Sequence, residues 1–281
     1  MIIDFHTHCF PEKIAERAIA SLSKAAGGLV PHTDGTTGSL IELMDREGIA
    51  KSVVLGIATN AKQMHNVNDF AKELSSDRLV GFGSVHPDAE NALEELERIK
   101  ELGLKGVKFH PEYQSFYVDD EKMKPIYKKI GELGLITVFH AGLDLGYTPP
   151  YHCTPDRMAK ALDWFGGSPV IAAHFGGYGF TEEVIEKLCG LPLYLDTAFS
   201  YASIPREFAS QIVRKHGADK ILFASDCPWH NPELEIRLVE SLDLTPEEKE
   251  LIYHGNAERL LGADFLQSEA LDDFPGNRLP H

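Results

Sequence analysis

The chain has 281 residues, of which 43% are hydrophobic and 25% are charged, as in an ordinary globular protein. Its 27 Lys and Arg against 43 Asp and Glu give a net charge of −16, which disfavours binding to nucleic acid or to an anionic membrane surface. No apolar run approaches the ~20 residues of a transmembrane helix, no signal peptide is recognisable and no CxxC pair occurs, so we expect a reduced, cytoplasmic protein.

Short apolar runs rich in β-branched residues recur along the chain and predict eight strands. These runs are Ile2–His6, Ser52–Ile57, Leu79–Val85, Gly106–His110, Ile136–His140, Val170–His174, Leu193–Thr197 and Ile221–Asp226. Most of them are continuously apolar rather than alternating, which is typical of parallel strands that are covered on both faces.

Amphipathic segments lie between the predicted strands and indicate a helix after each one. The clearest of them are Asp88–Leu102, Lys122–Leu133, Thr154–Phe165, Thr181–Leu188, Arg206–His216 and Thr245–Leu261. Eight such strand–helix units in a chain of this length predict a single (β/α)8 TIM barrel over residues 1–262. A doubly wound open sheet is the alternative, but it usually has fewer strands and often a glycine-rich turn after the first, where this chain has His-Thr-His.

Two segments do not fit the regular alternation. Residues 9–39 form one long excursion after the first strand, and we interpret them as an elaborated loop near the barrel mouth. Residues 263–281 are acidic and lack a periodic apolar face, so we expect a C-terminal tail or an interface arm.

Side chains that can bind a metal or transfer a proton occur at the ends of five predicted strands. They are His6 and His8, Lys108, His140, His174, and Asp226. In a TIM barrel the carboxyl ends of the strands carry the functional groups, and residues two apart on a strand face the same side, so His6 and His8 can bind one cation together. An HxH pair is a weak signal by itself, but its combination with further His and Asp residues suits Zn²⁺ or a similar divalent ion.

The order of these motifs resembles that of the amidohydrolase superfamily, in the branch that includes aminocarboxymuconate-semialdehyde decarboxylase. The similarity extends from Met1 to Gly262 through the segments IIDFHTH, GVKFHP, FHAG, AHFGG, ASDCPW and GNAERLLG. The resemblance implies that His6, His8, His140 and Asp226 bind the metal. It also implies that His174 is an acid, base or electrophile in a one-metal site, or a ligand in a two-metal site.

The resemblance leaves the number of metal ions open, because binuclear relatives carry a carboxylated lysine at the position of Lys108. That lysine would bridge two ions, with His174 as a further ligand; otherwise its ammonium group would bind a substrate carboxylate. We favour one ion, with Zn²⁺ expected and Mn²⁺ or Fe²⁺ as alternatives. His110 and Tyr113, after the fourth strand, are the other residues that we assign to substrate binding.

The motifs are shared by two kinds of enzyme, so spacing alone does not choose between them. The first is a hydrolase that activates a metal-bound water to cleave a C–N or C–O bond in an amide, lactone or ester, with Asp226 as the base. The second is a non-oxidative decarboxylase of an unsaturated or aromatic acid. We favour hydrolysis, because no Arg follows the ligand-bearing strands directly, and Arg157 and Arg206 lie only at helix starts.

A metal-binding barrel without catalytic activity is a third, remote interpretation. It would have lost an acid or base residue, whereas His174 and Asp226 are both present. The expected partner is a small-molecule substrate, and a homodimer is the candidate oligomer.

Overall fold

Eight parallel strands form the centre of the computed structural model, which describes residues 1–262. The strands are β1 (Ile3–Thr7), β2 (Lys51–Leu55), β3 (Leu79–Phe82), β4 (Gly106–Phe109), β5 (Ile136–Phe139), β6 (Val170–Ala172), β7 (Tyr194–Asp196) and β8 (Ile221–Leu222). They pair in sequence order as β1-β2-β3 and as β4-β5-β6-β7-β8. Residues 263–281, for which we predict a tail, lie outside the described residues.

Backbone hydrogen bonds join these two sheets into a closed barrel. Between β3 and β4, the Gly83 amide donates to the Gly106 carbonyl (2.9 Å) and the Lys108 amide donates to the Gly83 carbonyl (2.8 Å). On the other side, the Phe5 amide donates to the carbonyl of Phe223, one residue beyond β8 (2.9 Å). The described residues therefore have the predicted (β/α)8 TIM-barrel fold.

Helices follow every strand within residues 1–262. They are α1 (Glu12–Ala25), α2 (Thr37–Glu47), α3 (Met64–Leu74), α4 (Ala92–Glu101), α5 (Lys124–Leu133), α6 (Pro155–Ala161), α7 (Thr181–Lys187), α8 (Arg206–His216), α9 (Pro232–Ser241), α10 (Pro246–Glu250) and α11 (Asn256–Leu261). No helix among these residues has the length and apolar character that would let it cross a bilayer.

Several predicted elements are longer than the observed ones. The predicted strand Val170–His174 ends at Ala172, because His174 and Phe175 have φ values of 59° and 51°, which no strand residue adopts. The predicted strand Ile221–Asp226 ends at Leu222, and Asp226 has a φ of 68°. The predicted helix Thr245–Leu261 is divided into α10 and α11 by a π-helical turn at Leu251–Gly255.

Apolar side chains fill the inside of the barrel. One buried cluster contains residues of six strands together with Ala257 and Leu261 of α11. Because strands on opposite sides of a ring can make contact only through its interior, this cluster lies inside the barrel. Phe5 of β1 and Phe82 of β3 meet there edge to face, with ring centroids 5.9 Å apart. A larger cluster packs the remaining strand residues against the surrounding helices. This packing holds the strand ends, and the polar groups on them, in fixed positions.

Glycine is required where α3 packs on β3. A Cβ atom on Gly81 would lie 2.0 Å from the backbone oxygen of Ala71, which belongs to α3.

We expect Gly81→Ala to lower the free energy of unfolding by about 1–3 kcal/mol, because helix and strand must move apart. Gly38→Ala is the matched control, since its Cβ would meet only Thr36 Oγ1 at 3.9 Å and α2 should gain up to about 1 kcal/mol. Urea unfolding curves measure both effects, and equal stability of the two variants would contradict this account.

Candidate metal centre

Three of the predicted ligands converge at one end of the barrel. His6 Nε2 lies 3.2 Å from His8 Nε2, and Asp226 Oδ1 lies 3.3 Å and 3.2 Å from these two nitrogens. His6 is in β1 and His8 directly beyond it, whereas Asp226 follows β8 and is held next to β1 by its amide, which donates to the His6 carbonyl (2.8 Å). Strand closure therefore assembles a compact set of two nitrogens and one oxygen.

Neighbouring groups determine which ring nitrogen of each histidine carries the proton. His6 Nδ1 donates to Asp196 Oδ2 (2.9 Å), and His8 Nδ1 donates to the Leu55 carbonyl (2.9 Å). Both Nε2 atoms consequently present lone pairs to each other and to the Asp226 carboxylate. Three acceptors at contact distance repel one another unless a cation lies between them, and histidines oriented by a carboxylate or a carbonyl are typical of metal sites. The donor set fits a divalent transition ion.

Burial favours the neutral form of three imidazoles of the site, and the neutral form is the one that binds metals. It lowers the pKa of His6 well below 6.5, and the positive charge of Lys108 lowers it further. Burial also lowers the pKa values of His110 and His140. For Asp226, burial acts to raise the pKa, but the contact with His8 and the charges of His174 and Lys108 shift it below its usual value. His6, His110 and His140 are thus neutral, and Asp226 is ionised.

Lys108 is buried beside the same cluster. Only 1% of its surface is exposed, and its Nζ lies 3.2 Å from His6 Nε2. Burial lowers the pKa of Lys108 to about 8, although the negative charges of Asp196 and Asp226 oppose this shift. A pKa of about 8 leaves the amine mostly protonated at pH 7, and a carboxylate bound beside it would favour the charged form.

His140 and His174 form a second pair beside the compact set. His174 Nδ1 donates to the Ala198 carbonyl (3.0 Å), and His140 Nε2 donates to the Leu143 carbonyl (3.2 Å). The remaining nitrogens, His174 Nε2 and His140 Nδ1, are 3.1 Å apart and both carry lone pairs. A proton between the two atoms, or a cation bound to His140 Nδ1, would relieve this repulsion. The ligand atoms of His6, His8 and Asp226 lie within 4.8 Å of one another, and His140 does not belong to this group.

Backbone strain accompanies these functional groups. His174 and Asp226 both have left-handed φ values, of 59° and 68°, which non-glycine residues rarely adopt. The His174 amide donates to Asp196 Oδ1 (2.8 Å), and this bond helps to hold the conformation. Left-handed residues held by their surroundings are frequent at functional sites, where they aim a side chain in a direction that a regular strand cannot.

Asp196, at the end of β7, is the functional-site residue that sequence reasoning missed. Its Oδ1 accepts from the amides of His174 and Ala198, and its Oδ2 accepts from His6 Nδ1. The residue is fully buried; burial raises its pKa, whereas His174 and Lys108 act to lower it. The available signal was an aspartate near the end of an otherwise apolar predicted strand.

His110, Tyr113 and Asp144 form a stacked group next to His140. The His110 ring lies parallel to the rings of Tyr113 and His140, with centroids 3.6 Å and 4.2 Å away. His110 Nδ1 accepts from the Tyr113 amide (3.4 Å), so its Nε2 donates to Asp144 Oδ2 (3.3 Å). His110, His140 and Asp144 are close enough to hold an ion. However, stacked parallel rings cannot both aim lone pairs at one point, so this group suits orientation of side chains better than metal binding.

Two adjoining cavities open onto the cluster. The larger has a volume of about 640 Å³, and His6, Lys108 and Asp226 line it together with residues of α1 and of the segment that follows β2. The smaller, of about 80 Å³, is lined mainly by apolar and aromatic side chains such as Leu22, Tyr178 and Phe199. Tyr113, His140, Asp144, Asp226 and Trp229 line both cavities. A small organic molecule can therefore reach the cluster.

A closed parallel barrel with imidazoles, a lysine and a carboxylate at the carboxyl ends of its strands has the architecture of a TIM-barrel enzyme. The chain belongs to the amidohydrolase family, whose model matches residues 3–263. The family resemblance noted in the sequence is thereby confirmed. No curated protein sequence matches the chain.

Solved structures with the same fold include several decarboxylases. An uncharacterised TIM-barrel protein from Bordetella bronchiseptica is 22% identical, with a TM-score of 0.72 over 92% of this chain and 98% of that chain. The 5-carboxyvanillate decarboxylase from Sphingomonas paucimobilis is 15% identical, with a TM-score of 0.69 over 92% and 98%. The dihydroxybenzoic acid decarboxylase from Polaromonas sp. JS666, with bound manganese and the inhibitor 2-nitroresorcinol, is 19% identical, with a TM-score of 0.68 over 95% and 99%. At these identities the similarity establishes the fold.

Asp196 provides a test of the metal centre that leaves the ligands intact. In Asp196→Asn the amide oxygen can still accept from the His174 amide, but the NH2 group faces His6 Nδ1 and drives its proton to Nε2, where it blocks the ligand lone pair. We expect the affinity for Zn²⁺ to fall by about 10–100-fold while the fold is retained. Competition with a chromophoric chelator measures affinity, and circular dichroism checks the fold. Asp163→Asn, on the surface, is the control; unchanged affinity in Asp196→Asn would contradict the assigned tautomer.

Proposed function

We propose that the protein is a metal-dependent enzyme that removes CO2, without oxidation, from a small unsaturated or aromatic carboxylic acid. The observation that carries the proposal is the buried amine of Lys108. It lies 3.2 Å from His6 Nε2, on the floor of a cavity with largely apolar walls. A cation in such a place is suited to bind a carboxylate that has lost its water.

In this proposal His6, His8 and Asp226 would hold one divalent ion, and His140 would supply a further ligand. The bound ion would supply Lewis-acid polarisation of the substrate oxygens. Zn²⁺ is the expected ion because of the imidazole ligands, with Mn²⁺ and Fe²⁺ as alternatives; the Polaromonas relative contains manganese. Lys108 acts through its unmodified ammonium group, and it is not carboxylated to bridge two ions.

The cavity itself favours loss of CO2. A carboxylate is stabilised by water, whereas the neutral CO2 that leaves is not, so moving the acid into apolar surroundings raises the energy of the starting state relative to the product. Leu22 and Trp229, which line both cavities, provide these surroundings together with Leu143, Tyr178 and Phe199 of the smaller cavity. The flat aromatic walls suit a planar unsaturated substrate.

His174 is assigned as the acid that protonates carbon. The bond between the carboxyl carbon and the substrate skeleton breaks, its electron pair takes the proton from His174 Nε2, and CO2 leaves. His174 Nε2 lies 3.1 Å from His140 Nδ1, so the assigned acid stands directly beside the proposed metal ligands. His174 recovers a proton from solvent at the end of the cycle. His110 and Tyr113 contact the substrate in this proposal, since both line the larger cavity.

The sequence favoured hydrolysis because no arginine directly follows the ligand-bearing strands. In the structure, however, an arginine from another segment lines the cavity. Arg157 forms an ion pair with Asp119 and lies over the Tyr117 ring. However, Arg17 of α1 lines the same cavity as Lys108. Sequence reasoning searched only the loops directly after the ligand-bearing strands, whereas Arg17 comes from within the 9–39 excursion. Two cations therefore face one cavity, and the argument against a carboxylate-binding site disappears.

Hydrolysis of an amide, lactone or ester is the second candidate function. Asp226 Oδ1 favours it, because an ionised carboxylate next to two metal-binding nitrogens is placed to take a proton from an attacking water. Decarboxylation depends less on a base at this position, so the two reactions use Asp226 differently.

A substrate panel distinguishes the two reactions. We expect the zinc- or manganese-loaded chain to release CO2 from at least one aromatic or dienoic acid, such as a dihydroxybenzoate or a muconate. We expect no turnover of lactones, esters or amides. Membrane-inlet mass spectrometry measures CO2, and a pH indicator measures hydrolysis. Hydrolysis without any CO2 release would establish the second candidate instead.

Asparagine variants separate the proton-transfer role from the ligand role. Asn tolerates the left-handed backbone of His174 and Asp226, so both variants should fold. We expect each substitution to lower kcat by about 10²–10⁴-fold. His174→Asn should keep its metal, whereas Asp226→Asn should also bind it more weakly, as measured by elemental analysis after dialysis. His65→Asn, at an exposed position of α3, is the control. Activity of His174→Asn within a few-fold of the wild type would exclude His174 as the acid.

A further inference from the structure

We infer that the substrate carries a second acidic group, bound by Arg17 at the opening of the larger cavity. The inference rests on the proposed function and narrows its substrate class to dicarboxylic acids. It follows from the charge, burial and partners of the residues that line this cavity.

Arg17 differs from most arginines of the described chain in having no carboxylate partner. Arg46, Arg78, Arg98, Arg157 and Arg237 each form an ion pair with an aspartate or a glutamate. Among residues 1–262, Arg17 makes neither a hydrogen bond nor an ion pair, and no other arginine lines either of the two cavities. In a chain with a net charge of −16, a guanidinium that faces a cavity without an internal partner is available to an anion from outside.

Charge is separated along the cavity. The carboxylates that line it, those of Asp144 and Asp226, belong to the buried end near the metal centre. Arg17, Gln63 and Asn66 line the same cavity and are exposed, so we place them at its open end. Gln63 Oε1 already accepts from the amide and the hydroxyl of Thr59, so the Gln63 NH2 group remains as a donor. The open end thus presents hydrogen-bond donors to an anion.

Apolar side chains also line the larger cavity. Ile14, Ile57, Val67 and Phe70 are among its lining residues, together with the buried Lys108 and the exposed Arg17. A molecule that satisfies both cations needs an acidic group at each end and an apolar skeleton between them. An unsaturated or aromatic diacid meets these requirements, with the carboxylate at Lys108 as the one that is lost.

Binding of matched acids to the zinc-loaded full chain tests the inference without relying on turnover. The first pair is trans,trans-muconate and sorbate, which share a diene and differ by one carboxylate; the longer pair is 4-carboxycinnamate and cinnamate. Trp229 lines the cavity, so its fluorescence reports binding in a Trp164→Phe background. We expect at least one diacid to bind about tenfold or more tightly than its monoacid, as a charge-assisted hydrogen bond allows.

Arg17→Gln should abolish that preference and leave monoacid binding unchanged. Lys13→Gln is the matched control, because it removes the same charge from the same helix at a residue that does not line the cavity. A preference that survives in Arg17→Gln, or that is absent from the wild type for both pairs, would overturn the inference. So would an equal loss in Lys13→Gln, which would reveal a general effect of charge.

The result of the acid-binding test can be distinguished from the result of the CO2-release test of the proposed function. If diacids bind through Arg17 but no acid loses CO2, the binding site stands and the decarboxylase proposal fails. If monoacids lose CO2 at a rate that Arg17→Gln does not change, and diacids bind no more tightly, the decarboxylase proposal stands and the second acidic group is excluded.

Discussion

Closure of the barrel between β8 and β1 is the constraint on which the candidate site depends. The Asp226 amide donates to the His6 carbonyl, and the His8 amide donates to the Cys227 carbonyl. These bonds bring together His8 and Asp226, which are 218 positions apart in the chain. No local segment contains the candidate metal centre, because His6 and His8 belong to the end of the first strand and Asp226 follows the last one. The site can exist only when the whole ring has formed.

The site is organised by groups that are not themselves candidate metal ligands. Backbone carbonyls of Leu55, Leu143 and Ala198 each accept from one histidine ring nitrogen and so determine where that ring carries its lone pair. Asp196 does the same for His6 and also binds the backbone of His174. Because a carbonyl can only accept a hydrogen bond, the protonation pattern follows from the fold. The result is a set of lone pairs that a cation or a proton would stabilise.

Much of this arrangement can be predicted from the sequence, and the remainder cannot for identifiable reasons. The eight apolar runs and the polar residues after them indicate the barrel and its functional end, because parallel strands place their carboxyl ends together. Asp196 and Arg17 are different. Asp196 is recognisable only once its distance to His6 is known, since a single aspartate in a strand has many structural roles. Arg17 lies on a helix whose position over the barrel mouth depends on how the 9–39 excursion folds back.

The position of α1 has a consequence for how such a protein can diversify. The groups assigned to chemistry belong to the ring, whereas one wall of the larger cavity comes from a single inserted segment between β1 and β2. That segment is tied to the ring by contacts such as the His32 amide donating to the Pro228 carbonyl. Exchange of this segment between relatives would change one wall of the cavity and leave the groups assigned to chemistry unchanged. Substrate choice and catalysis can thus be inherited as separate parts of one chain.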